Sequence, residues 1–279
     1  MKLKSRAKIN LTLDVLYKRE DGYHEVKMIM QEIELADNIY FRKCDQLKVN
    51  CLHPFVPNGS SNLVYKAVEL VKRKTGVNKG ISIEIEKKIP VAAGLGGGSS
   101  NAATTILGLN KLWNLGLNVK QMESIAGELG ADVPFFIQGG TQLATGTGKD
   151  LTIINKAPAL WVVLAKPNLG VSTKEVYQNL SIGNISNHPD TSNMLNAIRQ
   201  QDKKGICTYL GNVLELVTLH RYSNVKILKN KICEMGANGA LMSGSGPTVF
   251  GLCEEYEKAI QIAKGLGPLS EEVFVTKFV

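Results

Sequence analysis

A glycine-rich stretch from Pro90 to Ala103, PVAAGLGGGSSNAA, constrains the fold of this chain more than any other feature. It follows ISIEIEKKI, whose isoleucines recur at the period of two that is typical of a strand. It leads into TTILGLNKLW, which predicts a helix reaching about Trp113. Glycine opens backbone conformations that other residues rarely adopt, and the free N–H groups at a helix start bind anions. The stretch therefore predicts a phosphate site between a strand and a helix.

Two common phosphate motifs are excluded in this stretch. No G-x-x-x-x-G-K-[ST] sequence occurs, and the G-x-G-x-x-G pattern fails at Ser99. A flexible connector is the alternative, but connectors are usually polar, whereas this stretch carries Val91, Ala92, Ala93 and Leu95. The hydroxyls of Ser99 and Ser100 could serve a phosphate oxygen or Mg²⁺, and Ser99 is the candidate metal ligand.

Composition indicates a folded protein with an anionic partner. The 279 residues are 44% hydrophobic and carry a net charge of +8, from 33 Lys and Arg against 25 Asp and Glu. The basic residues form no stripe and no nucleic-acid motif is present, so a small phosphorylated ligand is favoured over nucleic acid. The length suggests two domains. A change of pattern between Lys156 and Pro167 predicts an N-terminal domain over 1–160 and a C-terminal domain over 161–279.

Cysteine usage and hydropathy predict a cytoplasmic protein with no membrane partner. The five cysteines are odd in number and form no CxxC pair, which is typical of a reducing compartment, and most of them are expected to be buried. The N-terminus has no apolar signal core. The longest apolar run, ALWVVLA, is too short to span a bilayer. The four histidines show no metal-ligand spacing.

Strands and helices alternate along the chain, which predicts an α+β class. AKINLTLDVL alternates as a half-buried strand does, and EVKMIMQEIEL is a second such run. Asn62 is the expected N-cap of a helix that ends at Gly76. ADVPFFIQGGTQLATGTGKDLTII is expected to be strand and turn, and PALWVVLAKP a buried strand. The chain is expected to be mainly helical from Thr173 to His220.

Four features could carry chemistry, and each has a structural alternative. Lys8 lies in a strand, where lysine is disfavoured, and could be an edge residue that blunts aggregation. Asp132 in GADVPFF could be an ordinary turn aspartate. Tyr23 and His24 follow a turn and could stack on a base or lie unused at the surface. The SGSGPT segment, Ser243 to Thr248, could be a plain hairpin.

Taken together, these segments resemble the GHMP small-molecule kinases. PVAAGLGGGSSNAA resembles their phosphate motif, AKINLTLDV their first motif and LMSGSGPTVF their third, in the same order along the whole chain. The resemblance implies a two-domain α+β fold: an N-terminal, ATP-binding domain like ribosomal protein S5 domain 2 and a C-terminal ferredoxin-like domain that completes the substrate cleft. It also implies ATP and Mg²⁺ as cofactors.

DGYHE together with GLGGGSSNAA is similar to the branch of that family that phosphorylates the 2-hydroxyl of a cytidine diphosphate-linked methylerythritol in non-mevalonate isoprenoid synthesis. That resemblance implies Lys8, Asn10 and Asp132 at the reacting hydroxyl. It implies Tyr23 and His24 at the cytosine, with Tyr177 stacking on the other side of the base. The nucleotide would contact Asn62, Pro90, Val91, Ala92, Ala93, Gly94, Leu95, Gly96, Gly97, Gly98, Ser99, Ser100 and Asn101.

The expected mechanism is phosphoryl transfer by positioning and charge stabilisation. Asp132 would accept the hydroxyl proton as general base. Lys8 would lie close to Asp132, keep it ionised and stabilise the transferred phosphoryl group. A monomer or homodimer is expected. Two alternatives remain open: another GHMP kinase acting on a mevalonate-, phosphomevalonate- or homoserine-type alcohol, and a non-catalytic, kinase-like ligand sensor.

Overall fold

The structure is a computed structural model that describes residues 1–270 and 272–279. Its strands are β1 (Lys2–Lys18), β2 (His24–Lys43), β3 (Leu47–Cys51), β4 (Ile81–Glu86), β5 (Thr141–Thr145), β6 (Asp150–Ile153), β7 (Trp161–Lys166), β8 (Gly211–Asn212), β9 (Gly239–Met242), β10 (Val249–Cys253) and β11 (Glu272–Lys277). Its helices are α1 (Leu63–Thr75), α2 (Gly97–Trp113), α3 (Val119–Leu129), α4 (Phe135–Gln138), α5 (Thr173–Asn179), α6 (Thr191–Arg199), α7 (Lys203–Thr208), α8 (Glu215–Arg221), α9 (Ser223–Glu234) and α10 (Tyr256–Leu266).

The chain divides into two compact units. The first comprises Met1–Ala7, Leu35–Val91 and Gly96–Gly139. The second comprises Lys8–Glu34, Ala92–Leu95 and Gly140–Val279. These units do not coincide with the domains predicted from the sequence, because β1, β2 and the glycine-rich stretch each contribute to both. A boundary at residue 160 therefore stays a prediction.

The first unit packs helices on a small sheet. In it β4 pairs antiparallel with the Asn38–Lys43 part of β2 and parallel with β3. The helices α1 and α2 pack against each other, and α2 approaches β2 closely at Gly108. A Cβ added at Gly108 would lie 2.5 Å from the ring of Phe41, so a glycine there permits this approach.

The second unit contains a four-stranded antiparallel sheet in the order β11-β7-β10-β9. Taken in chain order, β7, β9, β10 and β11 are the four strands of a β-α-β-β-α-β unit. Helices follow β7, then β9 and β10 form a hairpin, and α10 precedes β11. This is the ferredoxin-like arrangement. The unit also pairs Thr12 and Leu13 of β1 in parallel with β8, and Met28–Gln31 of β2 antiparallel with β5.

Local sequence signals located most elements correctly. Helix α1 begins after Asn62, whose side chain accepts a hydrogen bond from the N–H of Val64, and ends at Gly76 with φ +72°. The isoleucines of β4 are all buried. The prediction for ADVPFFIQ was wrong, since Phe135–Gln138 forms a short helix before the strands begin. Pro134 precedes it, and proline is compatible with a helix start.

The prediction of a half-buried first strand was also wrong. Every residue from Ala7 to Val15 is buried, so both faces of β1 are covered. The polar side chains of Lys8, Asn10, Thr12 and Asp14 share one buried face, because alternate residues of a strand point to the same side. Lys8 is 4% exposed, which rules out the alternative of a solvated edge lysine.

Two further features are the hydropathy of the helices and the burial of the cysteines. Within the described residues no helix combines the length and the apolar character needed to cross a bilayer. Cys51, Cys207 and Cys253 are buried, as small apolar side chains commonly are, whereas Cys233 is exposed. Burial raises the pKa of the Cys207 thiol to about 12 and that of Cys253 to about 11, so both remain protonated thiols at neutral pH.

Candidate active site

The glycine-rich stretch becomes the start of helix α2. The helix begins at Gly97, inside the stretch, and Gly96 precedes it with φ +71° and no side-chain cap. The first N–H groups of a helix have no partner within the helix, so this start can hold an anion. A Cβ added at Gly98 would meet no atom within 4 Å, which leaves open space over the first turn. These features fit the phosphates of a nucleotide.

A buried carboxylate supports this helix start within the first unit. Asp37 is 0% exposed and accepts hydrogen bonds from the N–H groups of Lys88 at 2.7 Å and Ile89 at 2.8 Å, just before the glycine-rich stretch. It also accepts from Asn101 Nδ2 at 2.8 Å in the first turns of α2, and forms an ion pair with Lys87. Asp37 therefore joins the entry of the stretch to its exit. Sequence reasoning missed it, and the only signal was an acidic residue within an alternating strand.

Ser100 and Asn101 of the helix start face inward, toward Ser5 of β1. The Ser100 hydroxyl lies 2.7 Å from that of Ser5, and Asn101 Nδ2 also donates to Ser5 Oγ at 2.9 Å. These side chains are buried and support the helix within the first unit. Ser99 is only half-buried. Its role as a magnesium ligand stays a prediction, and the described residues hold no cluster of three or more His, Cys, Asp and Glu side chains for a metal.

The part of the glycine-rich stretch from Ala92 to Leu95 belongs to the second unit, and Lys8 of that unit contacts it. The Lys8 N–H donates to the carbonyl of Leu95 at 3.0 Å, and Lys8 Nζ donates to Asn10 Oδ1 at 2.6 Å. Ser243 Oγ donates to the carbonyl of Gly94 at 2.9 Å. A Cβ added at Gly244 would lie 3.6 Å from Lys8 Nζ. The AKINLTLDV strand, the glycine-rich stretch and the SGSGPT segment therefore meet around Lys8.

The predicted aromatic residues lie together in the second unit. The rings of His24 and Tyr177 have centroids 5.2 Å apart and planes inclined by 38°. Tyr23, the neighbour of His24 in the chain, is 67% exposed. Two stacking contacts need about 7 Å between the outer rings, since carbon atoms approach to about 3.5 Å. A base could therefore stack between His24 and Tyr177 only if the two rings moved apart.

The ionisation of His24 is set by its surroundings. Burial and the charge of Lys18 lower the pKa of this imidazole below its usual value. The ring is therefore neutral at pH 7, with one nitrogen that donates a hydrogen bond and one that accepts. The edge of a nucleobase, which is neutral and presents both hydrogen-bond donors and acceptors, is a suitable partner for the His24 ring.

Asp132 and Asn62 lie in the first unit. Asp132 is half-buried in the turn between α3 and α4. Asn62 is buried, and its side chain caps α1 while donating to the carbonyl of Pro57 at 2.7 Å. Lys8 belongs to the second unit and Asp132 to the first, so their closeness stays a prediction.

Two glycines of the stretch should respond differently to alanine. Gly94 has φ +73°, and an added Cβ would collide with the carbonyl oxygen of Ser243. We expect Gly94→Ala to lower the free energy of unfolding by about 2 kcal/mol or more, from the left-handed backbone and the collision together. We expect Gly98→Ala to leave the fold intact, because it meets open space and alanine favours a helix.

ATP binding distinguishes the phosphate site from a structural turn. If phosphates occupy the space over Gly98, Gly98→Ala should weaken ATP binding about tenfold or more while the melting temperature is unchanged or higher. Calorimetric titration with ATP and thermal melts of both variants measure this. Wild-type ATP affinity in folded Gly98→Ala would contradict the proposed phosphate position.

Comparisons with known proteins agree with these features. Residues 62–140 match the family model described as GHMP kinases N terminal domain, and residues 194–268 match GHMP kinases C terminal. A solved homoserine kinase from Cytophaga hutchinsonii, 19% identical, covers 99% of this chain and 94% of its own with a TM-score of 0.77, and so shares the fold.

More similar relatives narrow the class. The chain is 49% identical to the 4-diphosphocytidyl-2-C-methyl-D-erythritol kinase of Geobacillus thermodenitrificans (strain NG80-2), over 100% of this chain and 97% of that protein. It is 49% identical to the kinase of the same name from Brevibacillus brevis, over 99% and 96%. A crystal structure of 4-(cytidine 5'-diphospho)-2C-methyl-D-erythritol kinase is 31% identical, with a TM-score of 0.86 over 100% and 99% of the two chains.

The chain therefore belongs to the GHMP kinases and, within them, to the family of 4-diphosphocytidyl-2-C-methyl-D-erythritol kinases. The predictions of a two-domain GHMP kinase fold and of a phosphotransferase are confirmed. As a GHMP kinase the protein uses ATP.

Proposed function

We propose that this protein transfers the γ-phosphoryl group of ATP to the 2-hydroxyl of 4-diphosphocytidyl-2-C-methyl-D-erythritol, a step of non-mevalonate isoprenoid precursor synthesis. The observation that carries this acceptor is the pairing of the His24 and Tyr177 rings, with Tyr23 adjacent in sequence. The phosphate machinery is common to GHMP kinases, whereas an aromatic pair with a neutral histidine suits a nucleobase. The full-length relatives act, by their names, on the same cytidyl compound.

Binding divides between two parts of the chain. The N–H groups at the start of α2 and the helix dipole hold the ATP phosphates. The rings of His24 and Tyr177 move apart to admit the cytosine and, with Tyr23, hold it by stacking and hydrogen bonding. Mg²⁺, when bound, offsets charge on the phosphates, and Ser99 is its candidate protein ligand.

The transfer step depends on two charged side chains. Asp132 accepts the proton of the acceptor hydroxyl while the oxygen attacks the γ-phosphorus and the bond from that phosphorus to the bridging oxygen of ADP breaks. Lys8 stabilises the negative charge on the transferred group. Asn10 Oδ1 holds the Lys8 ammonium at 2.6 Å and so fixes its position on β1. The burial of Lys8 excludes water, which strengthens its electrostatic effect.

The decisive experiment compares acceptors. ADP release with Mg²⁺ and ATP is measured with 4-diphosphocytidyl-2-C-methyl-D-erythritol, mevalonate, phosphomevalonate, homoserine and no acceptor. Strong turnover with the cytidyl compound alone supports the proposal. Turnover with another alcohol would keep the phosphate site and discard the cytosine pocket. ATP binding without turnover on any acceptor would indicate a ligand sensor.

The acceptor KM should depend on pH through His24. Because the pKa of His24 is lowered, its neutral form persists to a lower pH than that of a free histidine, whose pKa is about 6.5. We therefore expect the acceptor KM to stay constant as pH falls from 8 to 6.5 and to rise below that range, when the ring becomes charged. Steady-state kinetics at saturating ATP measure it.

The matched control is His24→Gln, which cannot titrate. Its acceptor KM should be higher than that of the wild type and should not change over this pH range. A wild-type acceptor KM that already rises between pH 8 and 7, or a rise that persists in His24→Gln, would contradict the role of His24.

A further inference from the structure

Asn212 is a buried polar residue that the proposed mechanism does not use. It is 7% exposed and forms one of the two residues of β8. Its Nδ2 donates to two carbonyl oxygens, that of Met242 at 2.8 Å and that of Gly244 at 2.8 Å. Its Oδ1 accepts from the N–H of Leu214 at 2.9 Å. Both donor hydrogens and the acceptor are therefore engaged, which fixes the orientation of the amide.

Glu215 and Thr218, which follow Asn212 in the chain, bond to the same segment. Glu215 Oε1 accepts from the N–H of Met242 at 2.9 Å, and Thr218 Oγ1 donates to the carbonyl of Ser245 at 3.1 Å. Residues three apart lie on the same side of a helix, so Glu215 and Thr218 face this segment together. Asn212, Glu215 and Thr218 thus bond to backbone groups of Met242, Gly244 and Ser245.

The segment they hold contacts the Lys8 region of the second unit. We name Ser243–Pro247 the glycine turn. Its Ser243 Oγ donates to the carbonyl of Gly94. A Cβ added at its Gly244 would lie 3.6 Å from Lys8 Nζ, so this glycine is close to the lysine side chain. The glycine turn therefore lies between Asn212 on one side and Lys8 with Gly94 on the other.

Asn212 is also tied to the strand that carries Lys8. It pairs with Leu13 of β1, and the N–H of the next residue, Val213, donates to the Leu13 carbonyl at 3.0 Å. One side chain therefore connects the Lys8 strand to the glycine turn. Because its amide holds the Gly244 carbonyl, the N–H of Ser245 in the same trans peptide points away from Asn212.

We propose that Asn212 is a positioning residue for phosphoryl transfer: it fixes the glycine turn against Lys8 and against Gly94 of the glycine-rich stretch. Glu215 and Thr218 assist it. This inference rests on the proposed phosphoryl transfer, but its main readout is ATP binding, which does not depend on the identity of the acceptor.

Asn212→Asp tests the proposal with almost no change of shape. The carboxylate replaces the donating amide and faces two carbonyl oxygens, so the glycine turn is repelled at pH 8. We expect ATP binding to weaken about tenfold or more and kcat to fall, with the acceptor KM unchanged. Burial raises the pKa of a carboxyl group, by up to about 3–5 units at a fully buried position, and the two facing carbonyl oxygens act in the same direction. Lowering the pH to 6 should therefore restore part of the ATP affinity, because the protonated carboxyl group can donate one of the two lost hydrogen bonds.

The control is Asn230→Asp, which makes the same change of charge at an exposed position on α9. It should bind ATP as the wild type does at both pH values. Folded Asn212→Asp with wild-type ATP affinity, or with a loss that does not recover at low pH, would overturn the proposal. A merely structural role would lower the melting temperature and leave the ATP affinity of the folded protein unchanged.

Thr218→Val provides a second test if Asn212→Asp does not fold. It removes the hydrogen bond to the Ser245 carbonyl and nearly preserves the shape of the side chain. We expect ATP binding about threefold weaker, as the loss of one hydrogen bond implies. Unchanged ATP binding in this variant would overturn the proposal. If the wild type binds ATP but phosphorylates no acceptor, the proposed function fails. ATP binding by the variants would then still show whether the position of the glycine turn affects the nucleotide site.

Discussion

Replacing Asp132 with asparagine is expected to lower kcat by about 10²–10⁴-fold, the usual contribution of a general base. The amide has nearly the shape of the carboxylate but cannot take the proton of the acceptor hydroxyl. Asp132 lies half-buried in a turn, so the substitution should not disturb a helix or strand. ATP affinity should change little, because the phosphates are held by the start of α2. Single-turnover kinetics with ATP and the cytidyl acceptor measure the effect.

A matched control for this variant is Asp45→Asn. Asp45 is an exposed turn residue of the same unit, between β2 and β3, and the change removes the same charge. It should leave kcat unchanged. An Asp132→Asn enzyme that is folded and has near-normal kcat would mean that another group, or no group, accepts the proton.

Replacing Lys8 with methionine is expected to lower kcat by about 10²–10³-fold, the usual cost of removing one electrostatic donor from a site that excludes water. Lys8 is buried, so methionine can occupy its space without exposing apolar surface. The ammonium that donates to Asn10 and stabilises the transferred group is lost. Steady-state kinetics should show the loss in kcat, with a folded protein by circular dichroism.

The exposed Lys4 on the same strand supplies the control. Lys4→Met removes one positive charge without entering the site, and its kcat should match the wild type. The double variant of Lys8 and Asp132 tests whether they act together. If they do, the double variant should lose about as much as the more damaging single change. Losses that multiply would indicate independent roles, and normal turnover of Lys8→Met would contradict its role altogether.

The sequence was most informative where chemistry depends on local backbone. The glycine-rich helix start was predictable because glycines between a strand and a helix form such a turn, whereas its role as a phosphate site stays a prediction. Helix α1 was predictable from Asn62 and Gly76, which act through bonds to neighbouring residues. The pair of Tyr23 and His24 was recognisable because the two residues are adjacent in the chain. Identification of the family rested on several such motifs in order.

Burial and long-range contacts required the tertiary structure. The alternation of β1 predicted one solvated face, but both faces are covered. Lys8 is therefore a buried residue and not a surface residue. The contact of His24 with Tyr177 joins residues 153 positions apart in the sequence, which no local pattern can report.

Residues that hold other segments in place could not be predicted from the sequence, for the same reason. Asp37 holds both ends of the glycine-rich stretch, and Asn212 holds the glycine turn, yet neither lies in a recognised motif. The sequence by itself determined the class of chemistry, since motif residues carry it through local geometry. The tertiary structure decided which polar side chains are buried and what they bond, since desolvation and hydrogen-bond partners depend on segments that are distant in the chain.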